Sequence, residues 1–240
     1  MDNITLDKIE YKIKNNWNEI SINNYFDIVE LIRSEVLSEE EKYANILSIC
    51  MDKDIDYIDS MNIQHFLNLA KNIKFIQTEL QTINIPGHIY IDNKLFKIEV
   101  NPAKLTASQF INLNNFYREG TDKDKMINVV STLIQPAKKI KTFYKDDIVV
   151  VDYNWDEHIK FIGDNLNIVL ANSIYVFFYQ ILKFLFQNSI TSLENQVVRK
   201  KLRLKWKKKL GILKKKELDG LIILEELQQQ LIEVGKKFTI

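Results

Sequence analysis

Residues 86–98, Pro86-Gly87-His88-Ile89-Tyr90-Ile91-Asp92-Asn93-Lys94-Leu95-Phe96-Lys97-Ile98, decide the reading of this chain. Two short runs rich in β-branched and aromatic residues flank Asp92-Asn93, a pair suited to tight reversal, so the stretch predicts a β-hairpin. A weaker instance stands at the start of the chain, where Ile4-Thr5-Leu6 and Glu10-Tyr11-Lys12-Ile13 flank Asp7-Lys8-Ile9.

At a constant offset of 85 the two regions align without a gap. Ile4 falls on Ile89, Asp7 on Asp92, Tyr11 on Phe96 and Ile13 on Ile98; beyond the hairpins Asn16 falls on Asn101, Ser21 on Thr106, Tyr25 on Phe110 and Ile28 on Leu113. Both copies then open a helix. Thr106 and Gln109 form a T-x-x-Q capping box, and Ser21 begins a looser version. After a two-residue slip, Asn45-Ile46-Leu47-Ser48 lies on Asn128-Val129-Val130-Ser131. In the first copy this second helix starts at the capping box Ser38 to Glu41 and carries Tyr43, Ile46, Leu47 and Cys50 at i, i+3, i+4, i+7. The expected fold is therefore mainly α with short β-hairpins: two duplicated ββαα units, about 3–51 and 88–135, followed by a C-terminal helical region. A helical connector through Asn62, Phe66, Leu69 and Ile76 joins them, and Tyr25 and Phe110 are expected in equivalent buried sites. The expected domains are 1–136 and 137–240.

Past Pro136 the pattern changes. Asp146 to Val151 predicts a short strand, and Asn154 with Glu157 caps a helix through His158, Ile159 and Ile162. Asn167 to Phe186 is the most apolar stretch and long enough to span a bilayer. Asn172, Ser173, Gln180 and Lys183 interrupt it, and a charged residue at a span's centre costs roughly 2.5–3.5 kcal/mol. A buried or interface helix is the expectation. Residues 190–236 predict two helices broken near Asp219-Gly220, the last with Leu221, Leu224, Leu227, Leu231 and Val234.

Composition narrows the function. In 240 residues, 46% hydrophobic with 11% aromatics supplies a core, unlike a disordered chain. One cysteine, Cys50, excludes an internal disulfide framework and multi-cysteine metal sites, and fits a reducing cytosol. Three histidines and six glycines leave little for imidazole catalysis or phosphate loops. No G-x-x-x-x-G-K-[ST], G-x-S-x-G or H-E-x-x-H occurs. His65, His88 and His158 are far apart and read as packed or surface residues, and Cys50 continues its helix's apolar stripe. Asp52, Asp54, Asp56 and Asp59 begin like a calcium loop, but Tyr57 stands where glycine is needed and Ile63 where a bidentate Glu belongs. No catalytic residue, cofactor or metal is expected. The opening MDNITLDKIEYK has neither the basic start nor the apolar run of a secretory signal.

Charge is the informative feature. The chain is +1 overall, yet Arg199 to Lys216 holds eleven cations and no acid, so the other residues sum to −10. The cations are Arg199, Lys200, Lys201, Arg203, Lys205, Lys207, Lys208, Lys209, Lys214, Lys215 and Lys216. Val198, Leu202, Trp206, Leu210 and Leu213 recur among them at i+4, i+4, i+4 and i+3, an apolar seam on a basic helix. Such a helix docks by its seam, contacts phosphates through its cations, or lies on an anionic membrane, the least favoured of the three. With lysine dominating and Arg199 and Arg203 the only arginines there, any DNA contact is expected to be non-specific.

Trp17-Asn18-Glu19-Ile20-Ser21 with Tyr25, Ile46-Leu47-Ser48-Ile49-Cys50, and Lys104-Leu105-Thr106-Ala107-Ser108-Gln109-Phe110 resemble a group of small proteins from the structural-gene blocks of tailed bacteriophages of gut Bacteroidales, notably the crAss-like phages. The resemblance runs over residues 4–136 and leaves out the basic helix. With 35 Ile, 29 Lys and 23 Asn against four Arg, the composition suits an AT-rich phage genome. The resemblance implies a non-enzymatic virion component at the tail or portal vertex, made in the host cytoplasm. Its expected form is a ring or adaptor subunit of the portal–tail connector, a homo-oligomer contacting other portal and tail proteins. The alternatives are a soluble tail assembly chaperone absent from the particle and a cytoplasmic nucleic-acid-binding accessory protein.

Overall fold

The computed structural model describes residues 2–6, 9–101, 104–118, 120–141 and 146–209, with isolated positions beyond. Among these the fold is mainly α with β-hairpins. The order is β1 (Asp2–Leu6), β2 (Ile9–Ile13), α1 (Ile22–Arg33), α2 (Glu39–Met51), α3 (Ile55–Asp59), α4 (Ile63–Ala70), β3 (His88–Ile91), β4 (Lys94–Ile98), α5 (Ala107–Arg118), α6 (Asp122–Leu133), β5 (Ile134–Lys141), β6 (Asp146–Val150), α7 (Trp155–Asn165) and α8 (Ile168–Lys209). Met1–Val176 and Phe177–Ile240 form separate compact units.

Local chemistry explains the element starts. Asp92 and Asn93 both take positive φ, 47° and 61°, a left-handed pair that returns β3 onto β4, with Tyr90 opposite Leu95. Ser38 and Thr121 close capping boxes with Glu41 and Asp124. Thr106 and Gln109 exchange the same reciprocal bonds, and Asn154 accepts from the N–H groups of Asp156 and Glu157. Each such cap is worth about 1 kcal/mol.

Several interactions stand at matching places in the two stretches. The Lys14 N–H donates to the Cys50 carbonyl at 2.9 Å, and the Glu99 N–H to the Leu133 carbonyl at 2.9 Å. Glu19 N–H meets Asn16 O, and Lys104 N–H meets Asn101 O. Tyr11, Ile13, Ile28, Leu47 and Cys50 are buried in the first stretch; Phe96, Ile98, Leu113, Val130 and Leu133 are buried in the second.

Three expectations need correction. Tyr25 is half-buried and Phe110 is 42% exposed, so they do not share a buried environment. Tyr25 packs edge-on against Trp17 at 5.4 Å, whereas Pro102 stands in the sequence where the offset would put a second Trp, leaving Leu113 to fill the core from α5. Secondly, the domain boundary expected at Pro136 falls inside β5. Helix α6 runs straight into that strand, which pairs Phe96 with Pro136 and makes the sheet β3-β4-β5-β6, so the first unit continues to Val176. Thirdly, the apolar helix and the basic helix are one continuous α8, because no Gly or Pro lies between Gly163 and Gly211 to stop it.

Within the first unit, α7 packs on the inner face of the four-stranded sheet, where Phe96 stacks on His158 and Phe161. The junction of α7 and α8 is clasped to the start of α1: Ile22 N–H donates to Leu166 O and Ile168 N–H to Ile20 O. Alpha1 and α7 approach so closely that a Cβ on Gly163 would lie 2.9 Å from Asn23 Nδ2. No helix of the described residues is long and apolar enough to cross a membrane.

Candidate assembly surface

The end of α8 carries the described part of the basic segment. Val197 and Leu204, seven apart, are 5% and 9% exposed and form the buried row. Val198 and Leu202, four apart, are 53% and 55% exposed. The seam read from sequence therefore begins as an outward apolar row, and the inward row is displaced by one position. Arg199, Lys201 and Arg203 are exposed beside it, and Lys200 is intermediate. Lys205, Trp206, Lys207, Lys208 and Lys209 continue the helix backbone, with side chains outside the described residues; Lys214, Lys215 and Lys216 lie wholly outside them.

A second feature belongs to the first unit and was not read from sequence. An open cleft of about 1070 Å³ lies among α1 from Tyr25 onward, the following loop, Leu80, the start of α6 and Asn172. Leu31, Val36, Leu37, Leu80 and Met126 supply apolar surface, and Val36 is 92% exposed. Asp27, Glu30, Glu35 and Asp122 line it against Arg33 and Lys123. Lys123 already pairs with Asp27 at 2.9 Å, so the remaining lining is acidic in balance. The Arg33 charge lies close enough to Tyr25 to offset part of the rise that burial gives its phenol pKa.

Several other titratable groups among the described residues are tied into structure. The Tyr11 hydroxyl is bonded to His65 Nδ1 at 2.7 Å, both buried. His158 Nε2–H donates to Ile134 O at 2.7 Å and Ser131 O at 3.1 Å, at the C-terminal end of α6. Burial lowers the His158 pKa, outweighing those carbonyls, and the ring stays neutral at pH 7. Cys50 is fully buried, and burial pushes its thiol up to about 12, which leaves it unreactive at neutral pH. Asp52 terminates α2 with φ 51° and pairs with Lys14 at 2.5 Å, so it serves a helix end. Among the described residues no group of three or more His, Cys, Asp or Glu side chains could hold a metal.

Compared with protein-family models, curated proteins and solved structures, the chain has no match.

Proposed function

We propose that this chain is a non-enzymatic structural subunit of a tailed-phage virion, a ring or adaptor protein of the portal–tail connector built on two ββαα repeats. The observation that carries the reading is the outward row of Val198 and Leu202 on a helix flanked by Arg199 and Arg203, in a chain whose other residues sum to −10. Exposing two large aliphatic side chains among cations forfeits burial worth about 1.5–3 kcal/mol each, which a docked neighbour would recover. A basic helix and an acidic body are different patches, so their pairing is heterologous and generates a ring when the rotation closes.

The matched contacts Lys14 to Cys50 and Glu99 to Leu133 support the repeat, because a chance resemblance between amphipathic segments has no reason to reproduce a strand-to-helix hydrogen bond. The matched capping boxes of α2 and α6 point the same way. Two similar units in one subunit would offer quasi-equivalent surfaces to successive neighbours. The phage assignment draws on the resemblance of Trp17 to Ser21, Ile46 to Cys50 and Lys104 to Phe110.

Electron microscopy of the purified full-length protein tests the reading. Closed rings of uniform subunit number are expected. A monomer that captures tail proteins without forming rings would favour the chaperone, and a monomer with strongly salt-dependent DNA binding would favour the nucleic-acid accessory protein.

A further inference from the structure

Resting on that reading, we infer that the cleft between α1 and α6 is the receptor for the basic end of α8 from a second copy of this chain. The two surfaces complement each other in shape and in sign. The cleft is concave and apolar at Leu37, Leu80 and Met126, with Glu30, Glu35 and Asp122 along it. The helix is convex, with an apolar row, Val198 and Leu202, and guanidinium groups at Arg199 and Arg203 on the same turns. Its volume of about 1070 Å³ accommodates on the order of two turns of a helix about 10 Å across.

Charge selects the occupant. Lys123 is engaged by Asp27 and Lys125 lies 4.0 Å from Asp122, which leaves Glu30 and Glu35, on α1 and its following loop, opposed within the lining by Arg33 alone and so one negative charge in excess to meet an incoming cation. An acidic or neutral helix would leave the excess negative charge uncompensated as water is displaced, whereas arginines satisfy it with charge-assisted bonds. Nucleic acid is repelled by the same carboxylates, so the cleft itself is a protein receptor whichever partners the helix has elsewhere. The groove beside Tyr43 and Ile76 is a poorer match, since Lys42, Lys71 and Lys74 outnumber Glu39 and Glu40 in and beside it.

A charge swap tests the pairing. Sedimentation velocity of full-length protein over a range of concentrations would compare wild type, Glu30→Arg/Glu35→Arg, Arg199→Glu/Arg203→Glu and the four-residue combination. Each pair alone is expected to weaken self-association about ten-fold or more, with the combination restoring it to within about three-fold, because only opposed charges in contact compensate each other. Leu202→Asp should weaken association at both low and high salt. Circular dichroism on each variant verifies the fold, and all five positions are at the surface.

Outcomes separate the two levels. If wild type associates but the swaps add rather than compensate, the cleft is not the receptor, and the ring reading stands on another interface. If the swaps change thermal stability in a compensating way with no change in association, the helix fills the cleft of its own chain and the proposal is overturned. A wild type that remains monomeric at all concentrations overturns both. Compensation in association, independent of added DNA, establishes the docking.

Discussion

The backbone N–H of Glu99 donates to the carbonyl of Leu133 at 2.9 Å, fastening the strand that follows the β3–β4 turn to the last turn of α6. Lys14 does the same to Cys50 at the end of α2. Both acceptors lie on buried residues, 3% and 0% exposed, at helix ends whose carbonyls have no partner within the helix. If the two bonds belong to repeated units, the amides of Lys14 and Glu99 will exchange slowly and at similar rates by NMR-detected hydrogen exchange, far below the loop amides of residues 79–82. Fast exchange at either one would show that the matched geometry does not persist in solution.

Gly163 is held by its neighbour rather than by its own backbone. Alanine would gain about 1 kcal/mol of helix propensity. Its Cβ would lie 2.9 Å from Asn23 Nδ2, however, displacing the amide that donates to Asp164 at 2.7 Å. Gly163→Ala alone should therefore destabilise the fold by about 1 kcal/mol, while the same change in an Asn23→Ala background should stabilise it by a similar amount. Urea unfolding of the four proteins reads the sign directly.

Ser131 has a fully buried hydroxyl with no hydrogen-bond partner, in contrast to Thr132, which donates to the Asn128 carbonyl. Removing an unsatisfied buried polar group recovers roughly 1 kcal/mol, and alanine also suits the helix interior. Ser131→Ala is expected to raise the urea midpoint, whereas Thr132→Ala should lower it. A destabilised Ser131→Ala would mean that its hydroxyl has a partner in solution.

His158 sets a pH dependence. Burial lowers its pKa below the ordinary 6.5, so the unfolded chain takes up a proton more readily than the fold does. Its contribution is complete above about pH 6.5 and is lost as pH falls through that value toward the lower folded pKa. Urea midpoints at pH 7.5 and 5.5 should differ in that direction, and by less in His158→Gln. The capping carboxylates Glu41 and Asp124 are held below their usual values by hydrogen bonds to Ser38 and Thr121 and weaken only at more acid pH. A midpoint that rises on acidification from pH 7.5 to 5.5 would contradict the neutral, buried ring.

What was legible from sequence was local. The hairpin at 88–98, the caps at Ser38, Thr106 and Asn154 and the stripe ending at Cys50 each depend on a few adjacent residues whose own chemistry fixes the backbone. The cleft was not legible, because its lining comes from residues 25–37, Leu80, residues 121–126 and Asn172, brought together only by folding. Tyr25 and Phe110 differ in burial for the same reason: a helix position is buried by what faces it, and Trp17 faces Tyr25 where the later stretch has Pro102 in sequence. The basic helix was half legible. Its i, i+4 row was visible, but whether Val198 or Val197 turns inward depends on packing that periodicity does not encode.

The most direct test of the central claim is quantitative mass spectrometry of purified phage particles alongside the infected-cell lysate. A small, fixed copy number per particle, in constant ratio to the portal protein, is the expected result. Abundance in the lysate with no copies in the particle would contradict it.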